Sequence, residues 1–577
     1  MNNFSMLKRL LKYAKKYRLL LITAFICAIL YVSSTLLAPK IVGEAIDYFI
    51  DKGSFDLNSC INVIIMLLIV VCLGAIFGFI MNSLLNKITY SMIYDLRRDA
   101  FKKILKVKIK YIDEHPEGDL LQRIISDTDQ VSDGLLQGFS QSLTGIITII
   151  VTIVMMLIIK WQIGLIVILL TPLSLFVAKY VSKRSYKTFK AQAEIKGEMN
   201  GFLDEMITNQ KMVISYQMEK RNVNRYKEMD KRLYKAGADA QFASSLTNPS
   251  TRFVNAIVYA VCATIGAILI IKDPVSSFGI GGLTAFLAYA SQYTKPFNEL
   301  SSVHTELSNS FASLKRVFDL IDEEEIKDNN KDLPKLEGNI KFNDISFSYT
   351  DKPLLTNISI NIKKGEHVAI VGPTGCGKTT LINLLMRFYD VDSGNILIDD
   401  YNTLEYSRKS LRENIGMVLQ DSWIFNGSVY DNIAFGKDDA TKEEVINASK
   451  KAYADDFIMH LKNGYDTILT NSSSISEGEK QLICIARLML KKPEILILDE
   501  ATSNIDTRTE LNVSMAFRSL MEGHTSFIIA HRLSTIRNAD LILVMKDGTI
   551  IECGKHEELL EKKGFYYELY NSQYEER

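Results

Sequence analysis

Excess charge of either sign is missing from this chain: 67 lysines and arginines stand against 67 aspartates and glutamates in 577 residues, a formal net charge of +0. With a sequence pI near 7.0 there is no basic footprint for a phosphate backbone, so no nucleic acid is expected as a partner. Cysteine is sparse and scattered. Cys27, Cys60, Cys72, Cys262, Cys376, Cys484 and Cys553 show no CxxC spacing, which excludes a disulfide framework and a cysteine-based zinc site and fits a reducing compartment for the soluble part. A cleaved signal peptide is not expected either, because the first apolar run is long and further runs follow it. The chain is also too long for a single core, and its two halves differ in composition.

Apolar runs organise the first half. They lie near 19–37, 61–80, 143–159, 163–181, 254–271 and 278–293, each approaching the ~20 residues that a bilayer span needs. Lys8, Arg9, Lys12, Lys15, Lys16 and Arg18 precede the first run, so the N-terminus is expected on the cytoplasmic side. Six spans then return the chain to that side. Trp161 sits between the third and fourth runs as an interface anchor. Two inner stretches, about 86–137 and 183–248, are long and basic, with Arg97, Arg98, Lys102, Lys183, Arg184 and Lys187 among their residues. Their helical periodicity predicts that the membrane helices continue into the cytosol, turning back at polar bends such as Asp113 to Gly118. The domains expected are a membrane all-α six-helix domain over 1–321, an exposed linker over 322–337 and an α/β P-loop NTPase domain over 338–577.

The second half centres on Gly372-Pro373-Thr374-Gly375-Cys376-Gly377-Lys378-Thr379, which lies between an apolar strand and a helix opened by Thr380. Glycines let the backbone N–H groups approach phosphate oxygens, Lys378 reaches the β- and γ-phosphates, and the Thr379 hydroxyl is placed to hold Mg²⁺. ATP and Mg²⁺ are therefore the expected cofactors. Two short segments before it, 340–342 and 345–349, alternate as a half-buried antiparallel pair would. Downstream, a continuous apolar strand over 495–498 ends in Asp499 and Glu500, and a second over 526–530 ends in His531. Ligands of parallel α/β sheets gather at the carboxyl ends of the strands, so these three residues are predicted to converge on the P-loop. Asp499 is suited to Mg²⁺, Glu500 to polarising the attacking water, and His531 to the γ-phosphate.

Together these motifs resemble an ATP-binding cassette (ABC) exporter half-transporter of the multidrug-exporter type. Gln420 matches the family's Q-loop, which implies a part in both Mg²⁺ binding and catalysis. Asp506, in Ser503-Asn504-Ile505-Asp506, matches the D-loop, and Tyr349 the aromatic residue that stacks on adenine. Ser476, Gly478 and Glu479 stand in the signature motif, which in the family clasps the nucleotide of the opposite domain. Here Glu477 replaces a signature glycine and puts a carboxylate where an anion should be held. An intact P-loop, Mg²⁺ residue, base and switch histidine beside an altered signature resemble one subunit of a heterodimeric exporter. The resemblance implies a second half-transporter as partner, contact with membrane lipid, and ATP-driven export of a drug-like, lipid or peptide substrate across the cytoplasmic membrane. A homodimer and an ATP-gated channel are the alternatives. Abundant Lys, Ile and Asn point to a bacterial source.

Overall fold

Long runs of leucine, isoleucine and valine, apolar around the whole helix rather than on one stripe, belong in a solvent other than water. The computed structural model describes residues 3–52, 57–272, 278–419, 422–470, 475–499, 506–529 and 536–572. It divides into two compact units, Met1–Val107 with His115–Glu324, and Lys108–Glu114 with Glu325–Arg577.

The helices of the first half are α1 (Asn3–Lys15), α2 (Arg18–Lys52), α3 (Leu57–Ile104), α4 (Ile109–Asp113), α5 (Glu117–Ile124), α6 (Ser126–Thr208), α7 (Gln210–Ser215), α8 (Glu219–Ser245), α9 (Thr247–Lys272) and α10 (Ile280–Ile321). All but α4 belong to the first unit. The six apolar runs all fall on these helices, the third and fourth as the two arms of α6. Its axis breaks at Lys160 (φ −159°, ψ 97°), beside Trp161. Among the described residues, Arg18–Ile50, Leu57–Ile104, Glu117–Thr171 and Glu219–Lys272 are long and apolar enough to cross a membrane, and only 11% to 22% of their apolar windows is buried by protein. Leu19, Phe79, Ile158 and Ile271 stand exposed on them. Each such side chain left in water would forgo about 1.5–3 kcal/mol of burial, so lipid is the solvent these surfaces require.

Within this unit α2 buries a stripe of Ala24, Ala28, Val32 and Leu36 at i,i+4 spacing, against a core that includes Met81, Phe286 and Tyr289. The Tyr289 hydroxyl, buried, donates to the Leu36 carbonyl at 2.6 Å. Where α2 crosses α10 the backbones nearly touch. A methyl on Gly281 would lie 1.9 Å from the Gly43 carbonyl oxygen. Asp47 accepts from the Gly281 and Gly282 amides at 2.7 and 3.0 Å, capping the start of α10 from another helix. At the far end of α10, Arg316 forks onto the buried Asp127 of α6 at 2.7 and 2.5 Å.

Among the described residues the second unit has twelve strands: β1 (Ile340–Phe347), β2 (Leu355–Ile362), β3 (His367–Val371), β4 (Ser393–Ile398), β5 (Tyr401–Asn402), β6 (Ile415–Val418), β7 (Gly427–Ser428), β8 (Ile468–Leu469), β9 (Ile495–Asp499), β10 (Thr525–Ile529), β11 (Leu541–Lys546) and β12 (Thr549–Gly554). One sheet runs β12-β11-β3-β10-β9-β6, parallel except for β12, and a second runs β2-β1-β4-β5 and is antiparallel. The segments 340–342 and 345–349 do not pair with each other as the alternation predicts. Residues 340–347 form the single strand β1, interrupted by a bulge at which Asp344 takes φ +47°, and its partners are β2 and β4. An Asn-Asp step suits a bulge as well as a turn, because both residues tolerate the left-handed region.

Alternate residues of the parallel strands feed two cores. Ala369, Val371, Leu496, Leu498 and Ile528 face one cluster, while Val368, Ile370, Ile495, Ile497 and Phe527 face the other. Residues 325–337 are mostly exposed, yet belong to this unit. Leu336 is buried, and Asp328 accepts from the Arg408 amide at 2.9 Å.

Gly281→Ala is expected to force α2 and α10 apart and destabilise the membrane unit by about 1–3 kcal/mol, the usual cost of overpacking. Thermal unfolding of the purified protein in lipid would show it as a lowered Tm, and an unchanged Tm would place the helices farther apart than they stand here.

Candidate functional site

β3 is buried along Val368–Val371 and delivers the chain straight into the glycine-rich loop. The loop then opens α11 (Lys378–Leu385). Two glycines are obligatory on geometry. Gly372 has φ +154° and a methyl there would lie 2.3 Å from the Met545 carbonyl oxygen, while Gly377 has φ +102° and a methyl would lie 2.5 Å from Leu355 Cδ2. Gly377 is also the N-cap of α11, without a side-chain cap, and the first turn carries no acidic residue. The first amides of α11 thus have no carboxylate competing for them, as a phosphate cradle requires. Lys378 folds back over the loop, its ammonium donating to the carbonyls of Gly372 and Pro373 at 2.8 and 3.1 Å. Thr374 and Gly375 form the loop's crest, and Thr380 is buried beneath it. Cys376 is 4% exposed and packs in the core cluster that holds Val368 and Ile370.

The second element is Asp499, which ends the fully buried β9 and is itself 9% exposed. Register fixes its level: Asp499 pairs with Ile529, and Ile529 with Ile370. It therefore lies two strands from the end of β3, roughly 10 Å at ~4.8 Å per strand. Its carboxylate and the Thr379 hydroxyl are hard oxygen donors of the kind Mg²⁺ prefers. Gln420, Glu500 and His531 lie outside the described residues.

Tyr349 lies two residues past the end of β1, not within a strand. Its ring packs edge-on against Phe347 and Tyr389, each at 4.9 Å. Its hydroxyl lies 3.4 Å from the Asn383 amide of α11, which ties this aromatic group to the P-loop helix. Tyr389 is a residue that motif reading passed over. Its hydroxyl hydrogen-bonds Asp113 at the end of α4. Burial first, and then that bond, raise its phenol above the ordinary range, so it remains a neutral donor. Phe388-Tyr389-Asp390 follows the P-loop helix in sequence, but nothing local there announces a partner so distant in the chain.

The signature segment opens helix α12 (Glu477–Lys491). Ser476 is its N-cap in a capping box: the Glu479 amide donates to Ser476 Oγ at 3.3 Å and the Ser476 amide to Glu479 Oε2 at 2.7 Å. Gly478 is buried. Glu477 is paired with Lys480 at 2.6 Å, a partner that sequence reading did not assign to it. Leu482, Ile483, Ile485 and Ala486 of α12 pack into the cluster that holds Ala369 and Val371, whereas Leu381, Ile382 and Leu385 of α11 pack into the cluster that holds Val368 and Ile370. The P-loop helix and the signature helix of one chain therefore lie on opposite faces of one sheet. Asp506 is the N-cap of α13 (Thr507–Met521), accepting from the Arg508 and Thr509 amides at 3.1 and 3.0 Å. Those bonds, the one from Thr509 foremost, hold its carboxyl below the usual carboxylate range.

Comparison with known proteins agrees with this arrangement. The ABC transporter transmembrane region family matches residues 21–297, and the ABC transporter family matches residues 355–503. The chain is 40% identical over 477 residues to a fatty acid ABC transporter ATP-binding/permease protein of Mycobacterium bovis, covering 82% of this chain and 75% of that one. It is 38% identical over 574 residues to the uncharacterized ABC transporter ATP-binding protein YfiC of Bacillus subtilis, covering 99% and 94%. A solved bacterial Atm1-family ABC exporter with ATP bound superposes with a TM-score of 0.80 at 27% identity, over 96% of this chain and 98% of that one. A membrane region and an ATP-binding, ATP-hydrolysing domain thus share one polypeptide, and the chain belongs to the ABC transporters as an exporter half-transporter of the membrane.

Proposed function

We propose that this exporter works as one half of a dimer whose two nucleotide-binding domains enclose ATP between them. The observation that carries the reading is the placement of α11 and α12 on opposite faces of the sheet. Lys378 and Ser476 of one chain do not then enclose the same phosphate, and the wall opposite the P-loop comes from the signature motif of a partner. Gly372, Pro373, Thr374, Gly375, Cys376 and Gly377 cradle the phosphates through their backbone, and Tyr349 stacks on adenine. Thr379, Gln420 and Asp499 hold Mg²⁺, which when bound neutralises charge on the β- and γ-phosphates. Glu500 polarises the attacking water, helped by Gln420, while His531 bonds the γ-phosphate. Ser476, Gly478, Glu479 and Asp506 serve the partner's nucleotide.

The partner in this proposal is a different half-transporter, because Glu477 sets a carboxylate at a helix N-terminus meant for phosphate. A homodimer is the second reading. It is favoured by Lys480, whose ammonium 2.6 Å from Glu477 offsets that carboxylate. For cargo we propose an apolar-tailed amphiphile of the fatty-acid or lipid class, on the strength of the 40% identity to a protein named as a fatty acid transporter.

Glu500→Gln is expected to bind ATP normally and to lose turnover by about two to four orders of magnitude, the typical worth of a positioned general base. Equal turnover would remove Glu500 from that role. For the partner question, the chain purified alone is expected to hydrolyse ATP weakly and Glu477→Gly to raise that rate severalfold. Robust turnover by the chain alone that Glu477→Gly leaves unchanged would establish the homodimer instead.

A further inference from the structure

A strongly basic groove lies far from the nucleotide in sequence and plays no part in the cycle above. It holds about 790 Å³ between α1 and α3, and Lys8, Arg9, Lys12, Lys16 and Arg98 line it with one carboxylate, Asp95. Three of the five cations are already paired. Arg9 reaches Asp322 at 2.5 Å and lies over the Phe318 ring at 4.1 Å. Lys16 meets Asp95 at 2.9 Å, and Arg98 meets Asp95 and Asp99 at 3.4 Å each. Tyr13 donates to Asp99 at 3.0 Å. Burial, and then that bond, push its phenol up to about 12, so it adds no negative charge to the groove. Lys8 and Lys12 are exposed and have no acidic partner among the described residues. They stand at i,i+4 spacing on α1, with Lys16 in the turn just after it, and an external anion relieves the repulsion between the two.

The form of the anion follows from what surrounds the lysines. Met6, Leu10 and Ala14 seat α1 on the protein. Leu7 and Leu11, the neighbours of Lys8 and Lys12, point outward at 40% and 53% exposure. A helix with basic residues beside exposed leucines is built to lie in a membrane surface. Its depth agrees. The uncharged run of α2 begins at Leu19, just after α1, and the uncharged run of α3 ends at Lys87. Asp95 is about two turns further on, roughly 12 Å along the helix, where the headgroup layer meets the cytosol.

We propose that this groove binds the phosphate headgroup of an anionic phospholipid of the inner leaflet, with Lys8 and Lys12 on the phosphate and Leu7 and Leu11 against the acyl chains. The site is separate from cargo transport and needs no nucleotide. Bound lipid would hold α1 to the membrane surface through charge as well as through apolar contact.

The test is native mass spectrometry of the full chain from nanodiscs containing phosphatidylglycerol and phosphatidylcholine, without nucleotide. Wild type is expected to retain phosphatidylglycerol preferentially. The double variant Lys8→Gln, Lys12→Gln should retain severalfold less, with phosphatidylcholine retention, Tm and basal ATPase unchanged. Leu7→Ser with Leu11→Ser should lower phosphatidylglycerol retention as well. Equal retention of phosphatidylglycerol by wild type and the lysine variant would overturn the proposal. Displacement of the lipid by millimolar inorganic phosphate, or retention that survives the leucine changes, would show a site for free phosphate and overturn the lipid assignment.

Discussion

The parallel register of β3, β10 and β9 fixes where the chemistry happens. Because Ile370, Ile529 and Asp499 are level, the strand that ends in the P-loop and the strand that ends in a carboxylate finish at one edge of the sheet. Strands buried on both faces hold such a register when their buried residues are apolar and alternate residues fill two cores, which is how 495–498 and 368–371 are written. The same two-sidedness separates α11 from α12. One physical requirement thus sets the hydrolytic edge and leaves each chain with a P-loop on one face and a signature helix on the other.

The membrane half obeys a different solvent. Its long helices keep their apolar surface outward, and their mutual contacts depend on small residues and on polar groups satisfied between helices. Gly43 with Gly281, Asp47 with the first amides of α10, and Arg316 with Asp127 are among the points where helices distant in sequence are tied. Residues Lys108–Glu114 are covalently continuous with α3 and α5, yet pack in the second unit, where Asp113 meets Tyr389. Tyr389 in turn touches Tyr349.

Much of this was legible in the residues. The apolar runs fall on long helices, four of which are long and apolar enough among the described residues to cross a membrane, and the interruption at Lys160 was legible too, because hydropathy acts locally. The P-loop was legible because its glycines are demanded by backbone geometry, and Asp499 because a buried strand ends in it. What was not legible depends on partners remote in sequence. The bulge that merges 340–342 and 345–347 into one strand is decided by pairing with both β2 and β4. Asp328 ties down a stretch that reads as linker only because Arg408, far along the chain, takes it. Lys480 sits within the signature itself, but its pairing with Glu477 depends on rotamers that spacing does not fix.

In this exporter the energy of ATP hydrolysis moves a molecule across the membrane. The most direct measurement is transport of a fluorescent fatty acid or lipid analogue in sealed proteoliposomes, with hydrolysis recorded in the same vesicles. The account expects accumulation against a gradient that starts with ATP, stops with a non-hydrolysable analogue and is absent in Lys378→Ala. Flux that runs only down a gradient and continues without hydrolysis would contradict it and identify a gated pore.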